Sequence, residues 1–230
     1  MIRSAKIPLI AVFSLLFWNA SGQTPATPPS QYGTGTPINY VRVWEPVKPL
    51  TSVSEVIHVD RTTKEVRQTT QYVDGLGRPI QTVVKKGSMA TGSSQYDLVS
   101  PTVYDAYGRE QFKYLPYASS SATDGSFKTN PFNEQVSFYN TQLNGQTGEY
   151  NIGSNNLNWA YSQQKFEASP LNRVEESFAP GTSWVGTNGQ TSASNRRSVK
   201  LKYYINTVSD SVRIWNVTDV SNALGTYSSP

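Results

Sequence analysis

The sequence predicts a mainly β fold: antiparallel hairpins closed by one type of turn, with one short helix packed on the sheet. Three observations carry this. Stretches of β-branched and aromatic residues alternate with polar ones in several places. The pattern Asp-x-x-Gly-Arg closes two of these stretches, at Asp74–Arg78 and Asp105–Arg109, 31 residues apart. A single segment, "NPFNEQVSFYNTQLNG", has apolar residues at helical spacing.

The first 22 residues stand apart from that fold. Arg3 and Lys6 precede an apolar run, Ile7 to Trp18, and small residues Ala20 and Gly22 precede Gln23. This is the layout of a secretory signal peptide. A spanning helix needs about 20 apolar residues, so the run is too short for an anchor. The expected product is exported, secreted or held at the cell surface, and has no membrane span after cleavage. It holds 208 residues, and loss of Arg3 and Lys6 takes the formal charge from +4 to +2. Such a balance offers no electrostatic basis for nucleic-acid binding. The Arg196-Arg197, Lys200 and Lys202 cluster reads as a solvated face. Cysteine is absent, which excludes disulfides, thiol nucleophiles and Cys-zinc sites.

Residues 23–37, "QTPATPPSQYGTGTP", read as an extended linker. The β domain is expected over 38–218, with 219–230 the start of a continuation in a truncated polypeptide. "INYVRVW" from Ile38 is strand-like, and Pro46 and Pro49 make it short or an edge. Val66, Gln68, Thr70 and Tyr72 occupy one face of the next strand, and Ile80, Thr82 and Val84 one face of its partner, giving a hairpin. Val99–Tyr104 and Arg109–Leu115 repeat the grammar as a second hairpin. Asn130 at the N-cap and Pro131 at the first turn open a helix near 131–143, with Phe132, Val136, Tyr139 and Leu143 on one face. Small polar residues mark loops at 144–158 and 181–197. Val199, Leu201, Tyr203 and Ile205, followed by Val212, Ile214 and Trp215, predict a closing hairpin.

The Asp-x-x-Gly-Arg turns read as structure. Aspartate at the start accepts amides two residues on, and Gly77 and Gly108 supply a positive φ. Arg78 and Arg109, just outside, lay guanidinium on a neighbouring aromatic or carboxylate. Asp74-Gly75-Leu76-Gly77 and its counterpart offer one carboxylate each, which suits neither a calcium loop nor a glycosidase pair. A degenerate third copy, "SPLNRV" at 169–174, has Ser169 in the aspartate place, Asn172 in the glycine place and Arg173 in the arginine place.

With their context, Tyr72–Arg78 and Tyr104–Arg109 resemble the YD repeats of bacterial RHS proteins. "NYVRVWEP", "TTQYVDGLGRPIQTV", "VYDAYGREQFKYLPY", "DGSFKTNPF", "SPLNRV" and "SVRIW" together resemble an uncharacterised N-terminal domain that precedes such repeats in large exported proteins. The resemblance spans Ile38 to Trp215, and differs from an ordinary array in its few repeats, long spacers and helix. It implies a non-enzymatic module that seeds or caps a β-shell formed with downstream RHS repeats of the same polypeptide. Such a shell encloses a variable C-terminal segment, in some cases a toxin, which would lie beyond Pro230.

Other constellations are sparse. His58 is the single histidine, with Asp60 two residues on and no nucleophile elbow nearby. Glu175 and Glu176 face opposite sides of a strand. No cofactor or metal set is apparent. The alternative class is a carbohydrate-binding or adhesive module, contacting surface glycans or envelope proteins. Trp159 and Trp184, each beside a loop, are its candidate contacts. Asn216-Val217-Thr218 is a glycosylation sequon only in a host that uses one.

Overall fold

The computed structural model describes residues 26–88, 95–120, 122–142, 159–181 and 197–210, together with the backbone of 216–218 and 226–228. The signal segment, Leu143, the loop at 144–158, Trp184 and residues 212–215 lie outside the described residues. Within them the protein is mainly β, in two antiparallel sheets and a separate strand pair.

Strand β1 (Asn39–Pro46) leads through a one-turn helix α1 (Val53–Val56) to the hairpin β2 (Val66–Val73) and β3 (Pro79–Val84). Next come β4 (Asp97–Pro101), β5 (Phe112–Tyr114), β6 (Tyr117–Ser119) and helix α2 (Pro131–Thr141). Strands β7 (Tyr161–Phe166), β8 (Val174–Phe178) and β9 (Val199–Lys200) follow, then β10 (Asn216–Thr218) and β11 (Thr226–Ser228). The first sheet runs β1-β2-β3-β4-β6 and the second β5-β7-β8-β9. Strand β10 pairs with β11.

The first expected hairpin forms, with one change of face. Tyr72 opposes Gln81 and Thr70 opposes Val83, with an irregularity at Tyr72/Val73. Gln81 and Val83 therefore line the inner face beside Val66, Thr70 and Tyr72, although the alternation of β3 pointed to Ile80, Thr82 and Val84. Ile80 is buried as well; Thr82 and Val84 are half-buried.

The second expected hairpin does not form as a pair. Its turn closes and one bridge, Thr102 to Lys113, follows. Beyond it β4 stays with β3 and β6, while β5 crosses to β7. Pro101 and Pro116 bound the two strands and limit how far the ladder can run. The sheet opens here, and α2 fills the opening.

Helix α2 starts where Asn130 and Pro131 place it, and buries Phe132, Gln135, Val136 and Tyr139. The Asn130 side chain does not cap the backbone; it accepts from Asn133 Nδ2 at 2.8 Å. Gln135 Nε2 donates to the carbonyls of Leu115 and Ala160, at 2.9 and 2.8 Å, at the end of the β5–β7 ladder, where the Leu115 amide itself donates to the Ala160 carbonyl at 2.9 Å. One side chain thus ties α2 to the end of that ladder. The principal core gathers Tyr72, Ile80, Val83, Val99, Tyr117, Tyr139 and Ala160; a smaller one holds Trp159 and Tyr161.

The Pro/Thr/Gly-rich segment expected as a linker packs on the domain from residue 26. Ala26 N–H donates to Tyr161 Oη at 2.8 Å, and Tyr32 N–H to the Thr129 carbonyl at 2.8 Å. The Tyr32 ring lies 5.2 Å from Phe127. One aromatic in an otherwise featureless stretch anchors it.

Candidate functional site

The two Asp-x-x-Gly-Arg turns are superimposable in their bonding. In each, the aspartate N–H donates to the arginine carbonyl and the glycine N–H to the aspartate carbonyl, at 2.8 to 2.9 Å. Asp74 Oδ1 accepts the Leu76 and Arg78 amides at 2.9 Å, and Asp105 Oδ1 accepts those of Tyr107 and Arg109 at the same distance. The second carboxylate oxygen takes the Nε of its own arginine, 2.8 Å away in both turns. Gly77 and Gly108 have φ of 78° and 76°, a region that costs a side chain roughly 1–2 kcal/mol. Gly75 has no such φ.

The bonds leave the carboxylates committed. The Arg78 backbone amide, aided by its guanidinium and the Leu76 amide, holds Asp74 below the usual carboxylate range. At Asp105 desolvation pushes upward, but the Arg109 amide and guanidinium and the Tyr107 amide outweigh it, and the net direction is down. Neither group is poised to exchange protons near neutral pH.

The third turn divides the aspartate's work between two residues. Asn172 adopts a positive φ of 52° in the glycine place, and Leu171 N–H donates to Ser169 Oγ at 3.2 Å. Serine supplies no charge, and Glu167 brings the carboxylate instead. Glu167 accepts Arg173 Nε at 3.0 Å on each oxygen and Nη2 at 2.9 Å. Arg173 holds Glu167 down to about 2, and Glu167 in turn raises Arg173.

Arg78 and Arg109 also reach the next turn, and Arg173 reaches a later aromatic. Arg78 lies 4.6 Å above the ring of Tyr104, the residue before Asp105. Arg109 lies 4.7 Å above Phe166, the residue before Glu167, and donates from Nη1 to Asn172 Oδ1 at 3.0 Å. The Tyr107 ring also lies 4.9 Å from it. Arg173 lies 4.5 Å above Tyr203. Three turns from distant stretches of chain thus stack in chain order, each guanidinium paired with a carboxylate, the first two laid on the aromatic before the next turn's acid and the third on Tyr203.

The remaining candidates are dispersed. Trp159 is only 4% exposed and packs on Tyr161 at 6.0 Å, so its ring offers no platform to a sugar. The burial comes from its position on entry to β7, over the smaller core. Trp184 lies outside the described residues. His58 is an exposed neighbour of Asp60, at 3.7 Å. Glu175 faces solvent toward Lys165 at 3.6 Å, whereas Glu176 is buried and accepts from Ser198 Oγ. Among the described residues no group of three His, Cys, Asp or Glu side chains has a metal-binding arrangement, and no helix is long and apolar enough to cross a membrane.

Sequence reasoning missed a buried polar knot. Lys128 Nζ and Asp97 Oδ2 are 2.8 Å apart, with side chains 2% and 0% exposed. Asp97 also accepts Gly125 N–H at 2.8 Å and Lys86 N–H at 2.9 Å. Gln81 clamps the Lys128 backbone through its amide and carbonyl at 3.1 and 2.8 Å, and Tyr72 Oη donates to the Gly125 carbonyl at 2.8 Å. The segment 124–130 is pinned to the sheet by these bonds. The one signal was "DGSFKT" itself, a glycine turn with a lysine in an aromatic setting. Glu167 had a clearer one: Phe166-Glu167 repeats the aromatic-acid order of Tyr104-Asp105.

Residues 45–198 match the family model described as a domain of unknown function, DUF6443, and the chain belongs to that family. Neither the curated proteins nor the solved structures contain a match.

Proposed function

We propose that this chain is a non-enzymatic structural module at the N-terminal end of an exported RHS-type protein, where it starts a β-sheet shell completed by downstream repeats of the same polypeptide. The observation that carries the reading is the stack of three arginine-clasped turns. In each turn the acid is held by its own arginine and by backbone amides or a neighbouring hydroxyl, which suits a scaffold. The stack is also directional, since the second and third turns each receive the arginine of the one before. A shell of this kind would hold a downstream toxin or effector, and the module would present it at the cell envelope.

Intact mass and C-terminal sequencing of the native exported product test this. A mature start at Gln23 and a chain running past Pro230 into more Asp-x-x-Gly-Arg hairpins are the expected results. A product ending at Pro230 overturns the shell. A hydrolytic activity abolished by Asp105→Asn overturns the non-enzymatic assignment.

A further inference from the structure

We propose that Lys128 and Asp97 condense within the folded protein into an intramolecular amide, a covalent crosslink between the sheet and the segment folded over it. Such a link depends on the buried knot alone and not on the role proposed above.

The two groups are placed as reactants. Lys128 Nζ lies 2.8 Å from Asp97 Oδ2, and neither side chain is more than 2% exposed. Burying two charges is costly, and replacing them by one neutral amide removes that cost. The same burial keeps water from hydrolysing the product. Both partners are also held by their backbones. Asp97 opens β4 opposite Ser119 of β6, and the Gln81 side chain grips the Lys128 amide and carbonyl. Holding the nucleophile against its carbonyl replaces the entropy of an encounter.

Two amides are aimed at the carboxyl group, as acyl transfer requires. Lys86 N–H donates to Asp97 Oδ1 at 2.9 Å and Gly125 N–H to Oδ2 at 2.8 Å. Both come from residues at positive φ, 49° for Lys86 and 78° for Gly125. A lysine enters that region only at a cost, and here it turns its amide onto Asp97. In the reaction Nζ bonds to Cγ, and an electron pair moves onto Oδ1, which the Lys86 amide steadies. Oδ2 then leaves as water, taking both of its protons from the lysine ammonium. One ammonium and one carboxylate give one neutral amide and one water, with no co-reactant. Asp124 Oδ1, 3.9 Å from Nζ on a largely exposed side chain, is the carboxylate placed to relay a proton from nitrogen to the leaving oxygen. In a chain without cysteine the product would act as a disulfide does, keeping residues 31 apart joined in the unfolded state.

Tryptic mapping of the natively folded Met1–Pro230 chain, denatured only before digestion, tests this. The crosslink blocks cleavage after Lys128, so residues 87–109 and 114–165 should appear as one linked species, lighter than their sum by one water. Lys128→Arg keeps a cation in place but offers no amine to acylate, and both the linked species and the water loss should vanish. Separate, unmodified peptides carrying Asp97 and Lys128 from the folded wild type overturn the crosslink, and that map is decisive even where the variant fails to fold. A water loss that persists in Lys128→Arg also overturns it, since it marks an aspartyl imide at Asp74-Gly75 or Asp124-Gly125 instead.

Discussion

Gly77 and Gly108 hold nearly the same positive φ, 78° and 76°, in surroundings that differ. A Cβ on Gly77 meets nothing within 4 Å, so Gly77→Ala should cost only the backbone term, roughly 1–2 kcal/mol. On Gly108 it would also stand 3.2 Å from Arg78 Nη1, and Gly108→Ala should lower the urea midpoint further because the stack itself must move. Gly75→Ala serves as the control. It has ordinary φ and one ordinary contact, Pro37 Cγ at 3.9 Å, and its midpoint should not shift. Arg109 lies over both Tyr107 and Phe166, so Arg109→Lys should lose stacking and the link to Asn172 while keeping the charge. Partial exposure limits the loss to about 1 kcal/mol, measured by the same unfolding curve.

At the scale of elements, the sheet is kept open by α2 and tied down by the segment before it. Asp97→Ala would strand a buried lysine and leave the Lys86 and Gly125 amides without their acceptor. A loss of about 3–5 kcal/mol is expected, read from chemical denaturation. Asp97→Leu combined with Lys128→Met should recover part of that loss, because the unpaired charge goes but the two amides remain unsatisfied. Gln135→Leu removes the donor shared by Leu115 and Ala160 without changing the apolar surroundings of α2. It should lower the melting temperature and raise amide exchange first at the Leu115 end of the β5–β7 ladder.

For the whole molecule, acid should loosen the stack before the core. Glu167 lies at about 2, from an ordinary value of 4.5, and Asp74 and Asp105 also lie below theirs. A carboxylate lowered on folding contributes stability that is complete above its unfolded value and disappears as pH falls through the folded one. Stability should therefore be level above about pH 5 and decline from there toward pH 2. Glu167→Gln should flatten part of that decline. A melting series across this range, in wild type and variant, measures it; a profile indifferent to Glu167→Gln would show that the third turn bears no load.

Much of this protein was legible in its residues taken singly. Asp-x-x-Gly-Arg specifies a turn because the aspartate oxygens, the glycine φ and the arginine fork are local, and Asn130-Pro131 starts α2 for the same reason. The mainly β class followed from alternation. What local chemistry could not specify was partnership across the chain. Which face of β3 turns inward depends on its register against β2, and an irregularity at Tyr72/Val73 sets it. β5 leaves β4 to pair with β7, a strand that arrives only later in the sequence. Asp97 meets Lys128 only because 124–130 folds back over the sheet, and Trp159 is buried where the start of β7 packs with Phe112, Tyr114 and Ala26. The residues determined the turns, and the tertiary structure decided that the turns stack, since only folding brings Arg78 to Tyr104, Arg109 to Phe166 and Arg173 to Tyr203.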